Sequence, residues 1–66
     1  MNNDILEGKW RQLSGKVKQQ WGKFTDDEVK EVEGNTQRLV GKIQEKYGVA
    51  RDEAERQVRD WANTAH

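Results

Sequence analysis

Leu13-Ser14-Gly15-Lys16-Val17 and Leu39-Val40-Gly41-Lys42-Ile43 are two renderings of one phrase, 26 residues apart. In each, aliphatic side chains four residues apart bracket a glycine and a lysine, and residues four apart share one face of an α-helix. The likeness extends outward from this phrase. Glycines stand at 8, 15 and 22 and again at 34, 41 and 48, and these six are all the glycine in the chain. Trp21-Gly22 answers to Tyr47-Gly48, and Asp26-Asp27 to Asp52-Glu53. Residues 1–66 therefore read as a single helical domain with an internal repeat, its copies at about 8–33 and 34–59.

The apolar spacing is helical throughout. Leu6, Trp10, Leu13, Val17 and Trp21 fall within an arc of roughly 80° at 100° per residue. Leu39, Val40, Ile43 and Tyr47 form the matching stripe in the second copy. Asn3 or Asp4 can cap the first helix. Thr25-Asp26-Asp27-Glu28 is a capping box, and Asp52-Glu53-Ala54-Glu55 is a weaker, aspartate-led version. Gly22 and Gly48 sit where a left-handed glycine ends a helix. The expected helices are about 4–21, 26–33, 36–47 and 52–63, giving two αα-hairpins in an all-α fold. The apolar rhythm also runs across Gly34-Asn35, so a single helix over 26–47 is the alternative. The sequence Glu33-Gly34-Asn35-Thr36, a stop followed by a cap, favours the break. The expected core is Leu6, Trp10, Leu13, Val17, Trp21, Phe24, Val29, Val32, Leu39, Ile43, Tyr47, Val58 and Trp61, with Ala54 as a close-packing position.

Composition bounds the function classes. The chain has 66 residues, no cysteine and no proline, so no disulfide or thiolate metal site can staple it. Charged residues make up 36%, with twelve basic and twelve acidic, and the mean hydropathy is −1.24. Zero net charge argues against a dedicated nucleic-acid or anionic-membrane binder. No apolar run is long enough to span a bilayer. Met1-Asn2-Asn3-Asp4 lacks the basic start and apolar core of a signal peptide, so the expected location is the cytoplasm.

These motifs, in this order, resemble the CsbD-like family of small bacterial stress-response proteins. The resemblance is carried by Gly8-x-Trp10, Gly15-Lys16-Val17, Trp21-Gly22-Lys23, Thr25-Asp26-Asp27, Glu33-Gly34 and Leu39-x-Gly41-Lys42-Ile43-Gln44. It covers nearly the whole chain. It implies four short helices as two orthogonally packed αα-hairpins, expressed in a general stress response. It brings no enzymatic activity, cofactor or ligand, and no functional residue.

The residues themselves offer little for catalysis. His66 is the only histidine and stands at the C-terminus. No His/Cys cluster is spaced for a metal, and Ser14 has no context that would activate a nucleophile. The glycine spacing matches neither dinucleotide nor Walker motifs. The expectation is a non-enzyme with no cofactor.

Two features suggest a surface instead. Gly8, Gly15 and Gly22 fall opposite the apolar stripe, and Gly15 and Gly41 lie mid-helix, where glycine costs about 1 kcal/mol relative to alanine. They serve close helix packing, deliberate marginal stability, or a flat face for a partner. Residues 9–23 also carry Lys9, Arg11, Lys16, Lys18 and Lys23 with no acid. The acids of residues 26–33 follow them, as helix dipoles and a self-complementary surface favour. The candidate interaction surface is therefore Gly8, Gly15, Gly41, Lys16 and Lys18. The expected behaviour is that of a monomeric hydrophilic protectant making weak protein contacts, its specific partner unknown. The alternative is an adaptor that docks a protein or nucleic acid through the basic first helix. Nucleic acid and membrane are both disfavoured, because the tryptophans that interleave the lysines share the core face.

Overall fold

The computed structural model describes residues 8–64. Four helices follow in order: α1 (Trp10–Gln20), α2 (Asp26–Val32), α3 (Thr36–Tyr47) and α4 (Arg51–Thr64). Helix α1 packs on α2 and α3 packs on α4, the two expected αα-hairpins, and α2 also packs on α3.

Local chemistry explains most boundaries. Thr25 caps α2 through its hydroxyl, which accepts from the Glu28 N–H at 3.2 Å, while the Glu28 carboxylate accepts from the Thr25 N–H at 2.9 Å. This is the expected capping box. The break at Gly34 is present as well. Glu33 (φ 50°) and Gly34 (φ 77°) are both left-handed, which ends α2, and the Asn35 side chain starts α3 by accepting from the Arg38 N–H at 3.1 Å. One helix through 26–47 is thus excluded. Gly48 closes α3 in the left-handed conformation (φ 68°), its N–H donating to the Gln44 carbonyl at 2.9 Å.

Three expected boundaries are corrected. The first helix does not run through Gly8, because Gly8 and Lys9 form a turn and α1 begins at Trp10. Its N-cap is Lys9, which makes no side-chain capping bond; Asn3, Asp4 and Leu6 lie outside the described residues. Gly22 is not left-handed. Trp21 ends α1 instead, at φ −127° and ψ 89°, with its N–H on the Val17 carbonyl at 2.8 Å. Helix α4 starts one residue early, at Arg51. The Ala54 N–H donates to the Ala50 carbonyl at 3.0 Å, so Asp52 and Glu53 lie in the first turn and complement the helix dipole there.

The core is one cluster. Leu13, Val17, Trp21, Phe24, Val29, Val32, Leu39, Ile43, Ala54, Val58 and Trp61 are buried as expected, and Val40 and Ala62 join them. Trp10 and Tyr47 are only partly buried and pack at its margin. The indole of Trp21 stands edge-on to Trp61, ring centroids 4.9 Å apart, and its Nε1–H donates to Gln57 Oε1 at 3.0 Å. This contact ties the end of α1 to α4, the last helix. The Tyr47 hydroxyl accepts from the Lys23 N–H at 3.1 Å, fastening the α1–α2 loop to the end of α3.

Gly48 gives a direct test of this architecture. Space around it is open, so only its positive φ resists a side chain. Gly48→Ala should lower stability by about 1–2 kcal/mol, read from the urea midpoint. An unchanged midpoint would show that α3 does not end in a left-handed residue.

Candidate functional site

The site is built by α1 and α2, which lie side by side and leave a shallow groove of about 410 Å³. Trp10 and Val29 supply its apolar floor, Gly15 part of its rim, and Lys18, Asp26 and Lys30 its charge. Trp10 belongs here because it is the first residue of α1, where its ring packs on the margin of the core and is only partly buried. Lys18 Nζ bonds Asp26 Oδ1 at 2.8 Å across the groove. That hydrogen bond and charge hold the Asp26 carboxyl below its usual range. Lys30 forms no ion pair among the described residues.

A second groove, of about 590 Å³, lies between α2 and α3 and has Gly41 on its rim. It differs in kind, because its walls are charged side chains, most of them paired. Lys42 Nζ bonds Glu31 Oε2 at 2.7 Å, and Arg38 donates to the Glu31 carbonyl at 3.1 Å. The Glu31 carboxylate raises the pKa of the Lys42 ammonium.

The sequence candidates are therefore distributed over several places. Gly15 and Lys18 share the α1–α2 groove, and Gly41 lies on the other. Gly8 is an exposed turn residue, and Lys16 is half-buried with contacts of its own; neither lines a groove described here. Val29 and Lys30 complete the first groove and were not singled out by the sequence. The stripe placed Trp10 in the core, and nothing in its spacing marked the part of its ring that the structure leaves uncovered. Gly15 and Gly41 have open space where a Cβ would stand, with no atom within 4 Å. Close helix packing is thus not their reason.

A third set of polar groups joins α2 to the end of α3. Glu28 Oε2 meets Lys46 Nζ at 2.6 Å, and Lys46 also lies 5.8 Å from the Phe24 ring centroid. The Lys46 hydrogen bond, then the Thr25 N–H, bring the Glu28 pKa down to about 2. Glu53 is also lowered, first by Gln57 and then by Arg56. A general acid or base works best near the operating pH, and these carboxylates are moved the other way. Among the described residues no group of three or more His, Cys, Asp or Glu could hold a metal ion. No described helix is long and apolar enough to cross a membrane.

The CsbD-like family pattern matches residues 4–56. The chain belongs to the CsbD-like family. It is 56% identical over 61 residues to the UPF0337 protein YjbJ of Escherichia coli, covering 92% of this chain and 88% of that one. A UPF0337 protein of Bordetella pertussis is also 56% identical over 61 residues, covering 92% of each. One from Pseudomonas aeruginosa is 48% identical over 63 residues, covering 96% of this chain and 97% of its own. These names carry no activity.

Two predictions follow from the geometry. Gly15→Ala and Gly41→Ala should each raise stability by up to about 1 kcal/mol, since both sites are exposed helix with free space. Loss of stability in urea unfolding would mean that these glycines are packed or strained. The second concerns acid. The folded-state pKa of Glu28 is depressed from 4.5 to about 2. Its contribution is therefore complete above pH 4.5 and is lost as pH falls toward 2. Glu28→Gln keeps an acceptor for the capping box and removes the titrating charge. It should flatten part of the stability loss in that window, and an equally steep loss would assign the acid sensitivity to other groups.

Proposed function

We propose that this protein is a non-enzymatic, cytoplasmic protein of the general stress response, protecting other macromolecules through weak, multivalent contacts. Family membership supports the stress role. The observation that carries the mechanism is the surface. Mid-helix glycines open onto solvent at Gly15 and Gly41, and charges of both signs alternate around them, paired across helices at exposed sites. Exposed pairs of this kind are worth about 0–1 kcal/mol each. They can therefore exchange partners with a neighbouring macromolecule at little cost. Such a surface suits shielding of many clients as water is withdrawn.

A second reading, a specific adaptor, is supported by the α1–α2 groove, which has an apolar floor that a purely protective surface does not need.

Drying a labile client enzyme with this protein, beside an equal mass of an inert protein, tests the first reading. More client activity should survive with this protein after rehydration. Equal loss in both samples would overturn it.

A further inference from the structure

We infer that the α1–α2 groove is a docking site for an acidic amphipathic helix on a partner protein. The inference rests on the adaptor reading and names its partner class.

The contrast between the two grooves motivates it. Each has a mid-helix glycine on its rim with nothing within 4 Å of the missing Cβ. Around Gly41 most charges are paired, through Lys42–Glu31 and Arg38–Glu33, and the balance is acidic, with Glu31, Glu33 and Glu45 against Arg38 and Lys42. Around Gly15 the floor is apolar, formed by the half-buried Trp10 ring and by Val29. There the charge balance is positive. Lys18 and Lys30 face one carboxylate, Asp26, which Lys18 already engages at 2.8 Å. The exposed Arg11 lies on α1, which contains no acid, and the exposed Lys9 precedes it as the N-cap.

Each feature selects the same occupant. The groove follows α1 from Trp10 to Lys18, about 12 Å at 1.5 Å per residue, the length of two helical turns. An apolar floor calls for apolar side chains four residues apart on a partner helix. The missing side chain at Gly15 lets a helix backbone approach closely. The cationic rim favours glutamates and aspartates beside that apolar stripe and disfavours a basic helix. Nucleic acid fits less well. The Asp26 carboxylate stands in the groove wall and would face its phosphates, and the chain has no net charge to attract it.

The test is a titration of the ¹⁵N-labelled full chain with a synthetic helical peptide of about 12 residues. The peptide carries leucines at i, i+4 and i+7 and glutamates beside them. Shifts should concentrate on the Trp10 indole N–H and the Gly15 and Val29 amides. A peptide with lysine for glutamate should bind at least about tenfold more weakly. Gly15→Leu puts a bulky side chain into open space, so the fold should survive by circular dichroism while binding falls by about tenfold or more. Lys30→Glu, which breaks no ion pair, should do the same.

Shifts that are scattered, or unchanged by Gly15→Leu, would overturn the inference. So would concentration-dependent shifts at the groove without peptide, which would assign it to a second copy of this chain. If single-stranded DNA shifts these residues and the acidic peptide does not, the inference fails while the adaptor reading stands. If neither ligand shifts the groove, the inference fails and the adaptor reading loses its support. Client protection on drying would remain a separate result.

Discussion

The indole of Trp21 ties the end of α1 to α4 and centres the core that the two hairpins share. Its ring lies edge-on to Trp61 and 6.2 Å from Phe24, and its N–H is satisfied by Gln57. Buried indoles need a partner for that N–H, so the contact is specific as well as apolar. It joins residues from the first and last helices, 36 to 40 positions apart in sequence. Among the described residues the main helix packing is between neighbours in the chain, α1 on α2, α2 on α3 and α3 on α4. The Tyr47 hydroxyl and the Lys46–Glu28 pair add to the joint, but a helix pair of this size buries too little to hold by itself, so the shared core around Trp21 carries the fold.

The remaining surface follows from that arrangement. Apolar side chains are scarce, and the core takes nearly all of them. Among the described residues, what faces solvent is mainly charged and polar side chains, with most of the glycines. The lysines of α1 and α3 reach the acids of α2 through Lys18–Asp26, Lys42–Glu31 and Lys46–Glu28. Helix α2 is thus an acidic strip between two basic helices. Most of these pairs are too exposed to contribute much stability, which keeps them available to other molecules. The Lys46–Glu28 pair differs, since both side chains are about four-fifths covered (20% and 23% exposed). It fastens the start of α2 to the end of α3. The groove beside Trp10 is one place where apolar surface was left over, and Tyr47 and Val49 are also only partly buried.

Much of the fold was legible because its signals are local. Thr25 and Glu28 make a capping box from neighbouring residues, and Asn35 and Gly48 act within one turn of themselves. The misread positions depend on tertiary context. Gly22 looked like a left-handed stop, but Trp21 leaves the helix first, drawn into the junction with Trp61 and Gln57. Trp10 read as core because its periodicity is right, yet only part of its ring finds the cluster. Thr36 reads as a helix-start residue and is buried to 1% exposure with an unpartnered hydroxyl. No local pattern announces that. The site was legible only as residue types. Gly15 and Lys18 were in view, while Val29 and Lys30 come from another helix and needed the packing of α1 on α2 to join them.

The account makes Trp21 the joint on which the single core depends. The most direct measurement is urea unfolding of Trp21→Ala, followed by circular dichroism and by the fluorescence of the remaining tryptophans. Removing a buried aromatic of this size costs about 3–5 kcal/mol, a large fraction of the stability of so small a domain. The variant should be largely unfolded without denaturant, or should lose its single cooperative transition as the hairpins separate. A cooperative transition displaced by less than about 1 kcal/mol would contradict the account and place the joint elsewhere.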